Sequence, residues 1–135
     1  MVALTKAVAS NMDIAATFPD GLVAVFVGGT SGVGEYTLKK FAKYVPKPRA
    51  YVVGRSQEAA DRILAECRGL NPDGTFEFIK ADISLLKNVD KVCEQIKNKE
   101  SAINLLFLTQ GSMAFASSKS YSQLRPSPTT PGCHN

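Results

Sequence analysis

The clearest chemical pattern in the sequence is the glycine-rich loop at 28–34 (GGTSGVG), which directly follows the apolar run 22–27. Glycines at the end of a buried strand let the backbone turn sharply and approach a ligand. The N-terminus of a following helix adds free N–H groups and a positive dipole. The pattern predicts a phosphate-binding loop; a strand-to-helix loop that needs glycines for geometry alone is the alternative. The predicted contact residues are Gly28, Thr30, Ser31, Gly32, Val33 and Gly34.

A second chemical signal is Gly54-Arg55-Ser56, which follows the apolar run 50–53. In a dinucleotide-binding fold this position meets the adenosine ribose, where an acidic residue would accept hydrogen bonds from the two hydroxyls. The planar guanidinium of Arg55 instead complements a 2′-phosphate, and no acidic residue stands at this strand tip. The sequence therefore predicts NADP rather than NAD, with Arg55 and Ser56 in the site. An exposed arginine near a helix start is the alternative.

Two further candidates, Asp82 and Gly111, follow the third and fourth apolar runs. The Asp82 carboxylate could accept a hydrogen bond from an adenine amino group, or it could cap the next helix together with Ser84. Gly111 ends the sequence Thr-Gln-Gly, where a glycine permits a cofactor to approach closely but also suits an ordinary turn. Both residues are predicted cofactor contacts, each with a structural alternative.

These positions need a scaffold, and the hydrophobic pattern predicts one. Apolar runs predict strands at 22–27, 50–53, 75–79 and 103–108, and helical spacing predicts helices at 33–45, 56–68 and 85–98. Ser56 is the predicted N-cap of the second helix. With right-handed crossovers, the β-α-β-α-β-α-β order gives an α/β fold. It is half of a Rossmann-type parallel sheet, with strands ordered 3-2-1-4.

The same pattern predicts which side chains are buried. In the first and third of these helices, the residues expected to face the sheet are Val33, Leu38, Phe41, Ala42 and Val45, and Leu85, Val89, Val92, Cys93 and Ile96. Cys67 and Cys93 are predicted to be buried thiols. Ahead of the first strand, Val2 to Ala16 predicts a short amphipathic helix docked on the domain.

Composition divides the chain into three segments and excludes some classes of protein. We expect a lead-in at 1–20, the dinucleotide-binding half at 21–115, and a Ser/Pro-rich, irregular tail at 116–135. Apolar runs are shorter than the roughly 18–20 residues of a membrane helix, and Asp13 argues against a signal peptide. Unpaired cysteines fit the cytoplasm, and the adjacent Cys133 and His134 do not make a metal site. The net charge of +4 is dispersed, which favours an anionic cofactor over nucleic acid.

Taken jointly, these motifs resemble those of the short-chain dehydrogenase/reductase family. The family's T-G-x-x-x-G-x-G loop is similar to residues 27–34, with Val27 in place of threonine. Arg55 resembles the arginine of NADP-preferring members, and Asp82 resembles the aspartate after the third strand. Residues 106–111 resemble the N-N-A-G stretch, although Thr-Gln stands where the family has Asn-Ala.

Residues 22–115 as a whole are similar to fungal reductases of this family, some of them from secondary-metabolite pathways. This resemblance implies NADP(H)-dependent hydride transfer between a ketone and an alcohol. It also implies a serine on a fifth strand and a Tyr-x-x-x-Lys pair, whose tyrosine exchanges a proton with the substrate while the lysine lowers its pKa. The single Tyr-x-x-x-Lys sequence here, Tyr36 to Lys40, lies on the first helix of the half-domain. Tyr121 does not match the motif, because the residue four positions later is Arg125 rather than lysine. No catalytic residue is therefore assigned.

Two interpretations of the function remain open. The favoured one is a reductase truncated or alternatively spliced before its catalytic residues. An apolar fourth strand would then lie at an open sheet edge and call for a partner or a homo-oligomer. The alternative is a non-catalytic nucleotide-binding or regulatory module that works through a partner.

Overall fold

The computed structural model of the protein describes residues 1–111, and a four-stranded parallel sheet lies at its centre. The strands are β1 (Val23–Val27), β2 (Arg49–Gly54), β3 (Thr75–Lys80) and β4 (Leu105–Leu108). They are ordered β3-β2-β1-β4, and all three neighbouring pairs are parallel. The predicted strand order is confirmed. The carboxyl ends of the four strands therefore meet at one edge of the sheet.

Five helices accompany the sheet in the described part of the chain. They are α1 (Leu4–Met12), α2 (Ile14–Thr17), α3 (Gly32–Tyr44), α4 (Gln57–Leu70) and α5 (Leu86–Lys99). The last three connect successive strands, as the predicted β-α-β pattern requires. None of the helices in residues 1–111 is both long and apolar enough to cross a membrane.

The sheet has two apolar faces because successive side chains of a strand point to opposite sides. Phe26 of β1 and Val52 of β2 face α3 and α4, where Leu38 and Ile63 pack against them. The intervening residues of both strands face α5 and pack against its Val92 and Ile96. Each connecting helix is thus held against the sheet by a buried stripe, which fixes where its N-terminus lies.

The aromatic ring of Phe26 is the centre of the α3 side. It is fully buried and lies 5.6 Å from the ring of Phe41 and 5.7 Å from that of Phe107, measured between centroids. Phe41 belongs to α3 and Phe107 to β4. This cluster therefore ties the helix after β1 to the strand on the other side of β1.

The predicted short N-terminal helix is present, but it is divided in two and does not dock on the sheet as expected. The segment forms α1 and α2, and Asp13 lies between them. None of residues 1–22 is buried, and Leu4 in α1 is 79% exposed. Leu4, Val8 and Met12 supply only one large apolar side chain per turn, and this narrow stripe does not pack on the sheet.

Three predicted core positions are also exposed. Val33 is 68% exposed, Leu85 precedes α5 and is half exposed, and Cys93 is exposed while Cys67 is buried as predicted. Val92 and Ile96 lie one turn apart and carry the buried stripe of α5, and Cys93 is rotated about 100° from Val92. The helical period was predicted correctly, but its rotation about the helix axis was not.

Strand β4 lies at an edge of the sheet rather than in its interior. Its Leu106 and Leu108 are 57% and 56% exposed, and Phe107 is partly buried. The predicted boundary at 115, the predicted irregular tail, and Tyr121, Cys133 and His134 lie outside the described residues.

Burial along α3 predicts a contrast between two substitutions on the same helix. Leu38→Ala should lower the free energy of unfolding by about 2–5 kcal/mol, because Leu38 is fully buried and the change leaves a cavity. Val33→Ala should change it by less than about 0.5 kcal/mol, because the Val33 side chain is largely exposed. Urea denaturation followed by circular dichroism measures both. Equal losses would contradict this placement of α3.

Candidate functional site

A cleft of about 390 Å³ opens where the four strands end. Gly28, Thr30 and Ser31 line it from the loop after β1, and residues 53–55, 81–84 and 109–111 line it from the other three strand ends. The structure thus brings six predicted site residues to one cleft. These six are Gly28, Thr30, Ser31, Arg55, Asp82 and Gly111.

Backbone hydrogen bonds extend the sheet by one residue into the floor of this cleft. The Gly28 amide donates to the Val53 carbonyl at 3.0 Å, and the Thr109 amide donates to the Val27 carbonyl at 2.9 Å. The Ala81 amide donates to the Gly54 carbonyl at 2.9 Å. The four loops therefore leave the sheet at the same level, and their first residues are held by the strand ladder.

Gly28 is required by both its backbone conformation and its surroundings. Its φ of +87° lies in the left-handed region, where a side chain is strained. A Cβ there would also lie 2.9 Å from the Gln110 amide nitrogen and 2.9 Å from the Thr109 carbonyl carbon. Only glycine lets the loop after β1 turn while touching the chain that leaves β4.

Gly34 permits an equally close approach from the helix side. It is buried, and a Cβ would lie 2.5 Å from the Gly28 carbonyl oxygen and 2.7 Å from the Thr109 Oγ1 atom. The first turn of α3 therefore packs directly on the loop and on β4. Gly34 contacts protein atoms rather than the cleft, so its structural role is to bring the helix N-terminus to the strand ends.

Gly32 and Gly111 have the opposite surroundings. A Cβ at either position would meet no described atom within 4 Å. Gly32 has a φ of +54° and begins α3, and Gly111 lines the cleft. The packing of the described residues leaves open space above both glycines, which a ligand could use.

The N-terminus of α3 adjoins the cleft through its cap residue Ser31, which lines the cleft. The first N–H groups of any α-helix have no intrahelical acceptor, and here they belong to residues 32–34. Ser31 occupies the cap position in extended conformation, and its hydroxyl makes no cap hydrogen bond. A 13-residue helix with a positive dipole end and free N–H groups suits an anionic group.

Arg55 and Asp82 face the cleft from the ends of β2 and β3. The Asp82 Oδ1 atom accepts hydrogen bonds from the Ser84 hydroxyl at 2.7 Å and the Ser84 amide at 3.1 Å. These bonds, together with the positive charge of Arg55, hold the pKa of Asp82 below its usual value. Asp82 is therefore a fixed, ionised acceptor. Neither Asp82 nor Ser84 caps the next helix, because α5 begins at Leu86 and has Leu85 at its cap position.

Ser56 and Val33 do not line the cleft. The Ser56 Oγ atom accepts a hydrogen bond from the Ala59 amide at 3.3 Å and so caps α4. Val33 points into solvent from the first turn of α3. The predicted capping role of Ser56 is confirmed, and from its position Val33 could contribute to the site only through its backbone.

Several lining residues were not among the predicted contacts, including Gly54, Thr109 and Gln110. A Cβ at Gly54 would lie 3.0 Å from the Thr30 Cγ2 atom, so this glycine lets the first loop pass over β2. The signal for all three was present in the sequence, since each stands at the carboxyl end of an apolar run. For these three residues, location at the carboxyl end of a strand indicates better than side-chain type that the residue lines the cleft.

A larger cavity of about 640 Å³ adjoins the cleft. It shares Arg55, Ala81 and Asp82 with it and extends along α5 to Lys91 and Gln95. Among residues 1–111, no group of three His, Cys, Asp or Glu side chains could hold a metal ion. The larger cavity has a mixed lining, which includes Arg55 and Lys91 as basic groups, Asp82 as an acidic group and Ile79 and Val92 as apolar groups.

A parallel sheet with a glycine turn and a helix N-terminus at its carboxyl edge defines a dinucleotide-binding type of protein. Residues 22–125, more than half of the chain, match the family described as short chain dehydrogenase. The protein belongs to this family.

Several relatives of this chain are fungal proteins. The chain is 53% identical over 95 residues to an oxidoreductase of Emericella variicolor. This aligned segment covers 70% of this chain and 28% of the relative. The chain is 43% identical over 114 residues to an oxidoreductase of Emericella nidulans, covering 84% and 34%. A short-chain dehydrogenase/reductase of Stachybotrys chartarum is 37% identical over 93 residues, covering 64% and 26%. The matched part spans about a third of these relatives or less.

Solved structures agree on the fold. L-sorbose reductase from Gluconobacter frateurii, complexed with NADPH and L-sorbose, superposes with a TM-score of 0.62 at 20% identity, covering 73% of this chain and 38% of that one. A 3-oxoacyl-[acyl-carrier protein] reductase from Brucella melitensis gives 0.62 at 21% identity, covering 81% and 42%. At these identities the comparison establishes the shared Rossmann-type architecture.

The packing of Gly34 predicts that it cannot carry a methyl group. Gly34→Ala should lower the free energy of unfolding by about 3 kcal/mol, because the new Cβ would overlap backbone oxygen and Thr109. Gly69→Ala is the matched control, since a Cβ at Gly69 in α4 meets no described atom within 4 Å. It should raise stability by about 0.5 kcal/mol. Thermal unfolding of both variants measures the difference; an unchanged melting temperature for Gly34→Ala would refute the close contact.

Proposed function

We propose that the protein binds NADP(H) and serves as the cofactor half of an oxidoreductase that interconverts a ketone and an alcohol. The observation that carries this proposal is the presence of Arg55 and the N-terminus of α3 on one cleft. The end of β2 carries an exposed arginine and no carboxylate at the position that meets the adenosine ribose. Two anion-binding elements on one cleft match the pyrophosphate and the 2′-phosphate of NADP(H).

The residues of the cleft fit the cofactor group by group. Residues 32–34 would bind the pyrophosphate through backbone N–H groups, with Thr30 and Ser31 adding hydroxyl donors. Arg55 would bind the 2′-phosphate, and the ionised Asp82 would accept a hydrogen bond from the adenine amino group. Gly111, with open space above it, would admit the nicotinamide half. When bound, NADP(H) supplies or accepts the hydride.

Several comparisons support this proposal. The two relatives from Emericella are oxidoreductases, and the Gluconobacter structure contains NADPH. Similarity to fungal proteins also supports our expectation of a role in secondary metabolism, and the free thiols support a cytoplasmic location. The exposed leucines of β4 support a covering partner or a second copy at that edge.

Cofactor preference can be tested at Arg55. The wild-type chain should bind NADPH more tightly than NADH, and Arg55→Met should weaken NADPH binding about tenfold or more while leaving NADH binding nearly unchanged. The physical reason is the loss of charge-assisted hydrogen bonds to the 2′-phosphate. Titration of nucleotide fluorescence against the purified chain measures both affinities.

Lys47→Met is the control for this experiment, because it removes the same charge from an exposed side chain that pairs with Asp20. It should leave both affinities within about twofold of wild type, as expected for screened surface charge. Equal binding of NADPH and NADH by the wild type would contradict the role of Arg55.

Catalysis is expected to need residues beyond this cleft. The family's proton-transferring Tyr-x-x-x-Lys has one counterpart by spacing, Tyr36 to Lys40, and Tyr36 is 71% exposed on α3. Neither of these two side chains lines the cleft. We therefore propose that residues 1–111 bind the cofactor, and that their cleft holds no tyrosine-lysine pair to exchange a proton with the substrate.

This view predicts cofactor binding without turnover. The purified chain with NADPH and a panel of ketones should show no absorbance loss at the nicotinamide band above the no-protein rate, because the cleft formed by residues 1–111 holds no Tyr-x-x-x-Lys pair to protonate the carbonyl oxygen. Tyr36→Phe should leave cofactor affinity unchanged. Robust ketone reduction that Tyr36→Phe abolishes would show that the proton donor is Tyr36 and overturn our interpretation.

A further inference from the structure

Four charged side chains form a closed ring between α3 and α4. Glu35 and Lys39 of α3 meet Arg62 and Glu66 of α4, and each carboxylate contacts both cations. Arg62 forms a fork with Glu35, with its Nη1 and Nη2 atoms 3.0 Å and 3.2 Å from the two carboxylate oxygens. The Lys39 Nζ atom lies 2.7 Å from Glu35 and 2.5 Å from Glu66.

The ring differs from an isolated surface ion pair in the burial and in the number of contacts of its side chains. The Glu35 side chain is only 16% exposed and that of Lys39 is 23% exposed. The hydrogen bond from Arg62, followed by that from Lys39, lowers the pKa of Glu35 to about 2. Bidentate geometry and partial burial make such a network stronger than a single exposed ion pair.

The position of the ring connects it to the cleft. Glu35 follows Gly34 directly in the first turn of α3, which carries the free N–H groups. Arg62 lies in the second turn of α4, and α4 begins two residues after Arg55. None of the four side chains is among the described residues that line the cleft. The ring therefore joins the two helices that follow the proposed anion-binding elements, and its Glu35–Arg62 contact lies near the start of both helices.

The charge of Glu35 makes a simple electrostatic role in cofactor binding untenable. A carboxylate in the first turn competes with a phosphate for the same positive helix end and repels the phosphate. If only charge mattered, Glu35 would weaken cofactor binding. The bidentate hydrogen bonds between Glu35 and Arg62 instead support a structural role, because they hold α3 against α4.

We propose, on the basis of the NADP(H) function proposed above, that the ring of Glu35, Lys39, Arg62 and Glu66 is a positioning device. It sets the separation between the pyrophosphate-binding start of α3 and Arg55 ahead of α4. Because NADPH must engage both elements at once and NADH needs only the first, the ring increases the preference for NADPH. Two-point recognition is sensitive to small changes in the distance between the two points.

Glu35→Gln separates this role from electrostatics by the sign of its effect. The substitution keeps the shape of the side chain and removes a negative charge near the phosphates. We expect NADPH binding to weaken about fivefold and NADH binding to weaken less, so that the ratio of the two affinities falls. Unchanged or tighter NADPH binding would overturn the proposal, and so would equal weakening of both nucleotides, which indicates a merely structural role.

Arg62→Met and Arg62→Lys complete the experiment. Arg62→Met should lower the same ratio, whereas Arg62→Lys, which keeps the charge but not the fork, should restore part of it. Lys43→Met removes one charge from the last turn of α3 and should leave the ratio unchanged. Circular dichroism melts confirm that each variant is folded, and a lysine variant no better than methionine would count against the ring.

The wild-type titration keeps this test apart from that of the proposed function. A wild-type chain that prefers NADPH, combined with ring variants that keep the full preference, would overturn the ring proposal alone. A wild-type chain that binds neither nucleotide would overturn both.

Discussion

The contact that the rest of the site depends on is the approach of α3 to the ends of β1 and β4. Gly34 lies against the Gly28 carbonyl and Thr109, with no room for a single extra carbon atom. Gly28 in turn adopts a conformation that only glycine tolerates well and touches the chain leaving β4. Three segments distant in sequence therefore meet at backbone distance. This contact places the positive end of the α3 dipole beside the strand ends. An anionic group bound in the cleft could interact with it there.

Such a contact needs a rigid frame, and the two-sided core provides it. Phe26 lies between Phe41 and Phe107 and so fixes α3 and β4 relative to β1 on one side of the sheet. Val92 and Ile96 fix α5 on the other. A side chain that moved by an ångström in this core would displace the loop above it, because close-packed interiors transmit strain. The geometry of the cleft therefore depends on the packing of the apolar core.

Much of the fold could be predicted from the sequence because its signals are periodic. Apolar runs separated by helical patterns determine strand order once crossovers are right-handed, and glycines after the first run locate the turn. Side-chain direction was harder. Cys93 and Val33 were assigned to apolar faces, but a small rotation of a helix about its axis decides whether such a residue is buried.

Local hydrogen-bonding partners could be predicted only in part from the sequence pattern. Ser56 caps α4 as predicted but does not line the cleft, and Asp82 is expected either to meet adenine or to cap a helix. The structure shows Asp82 held by Ser84, with its outer face toward the cleft. Short polar side chains have several partners within reach, and the choice depends on backbone geometry that sequence alone does not give. The ion ring between α3 and α4 is not evident from the sequence for a different reason. Glu35 and Arg62 are 27 residues apart along the chain, and only the packing of the two helices brings them together.

Under the proposed function, the cleft divides binding between two elements with different tolerance for change. The glycine turn and the start of α3 cannot vary without breaking the contact on which the fold depends, so the proposed anion site is tied to the architecture. Arg55 is exposed and caps nothing, so a substitution there would leave the core intact. Discrimination between ligands can therefore change at Arg55 without cost to the fold, provided that the distance from α3 to α4 is kept. The ion ring fixes that distance from outside the cleft, where its side chains compete with no ligand for space.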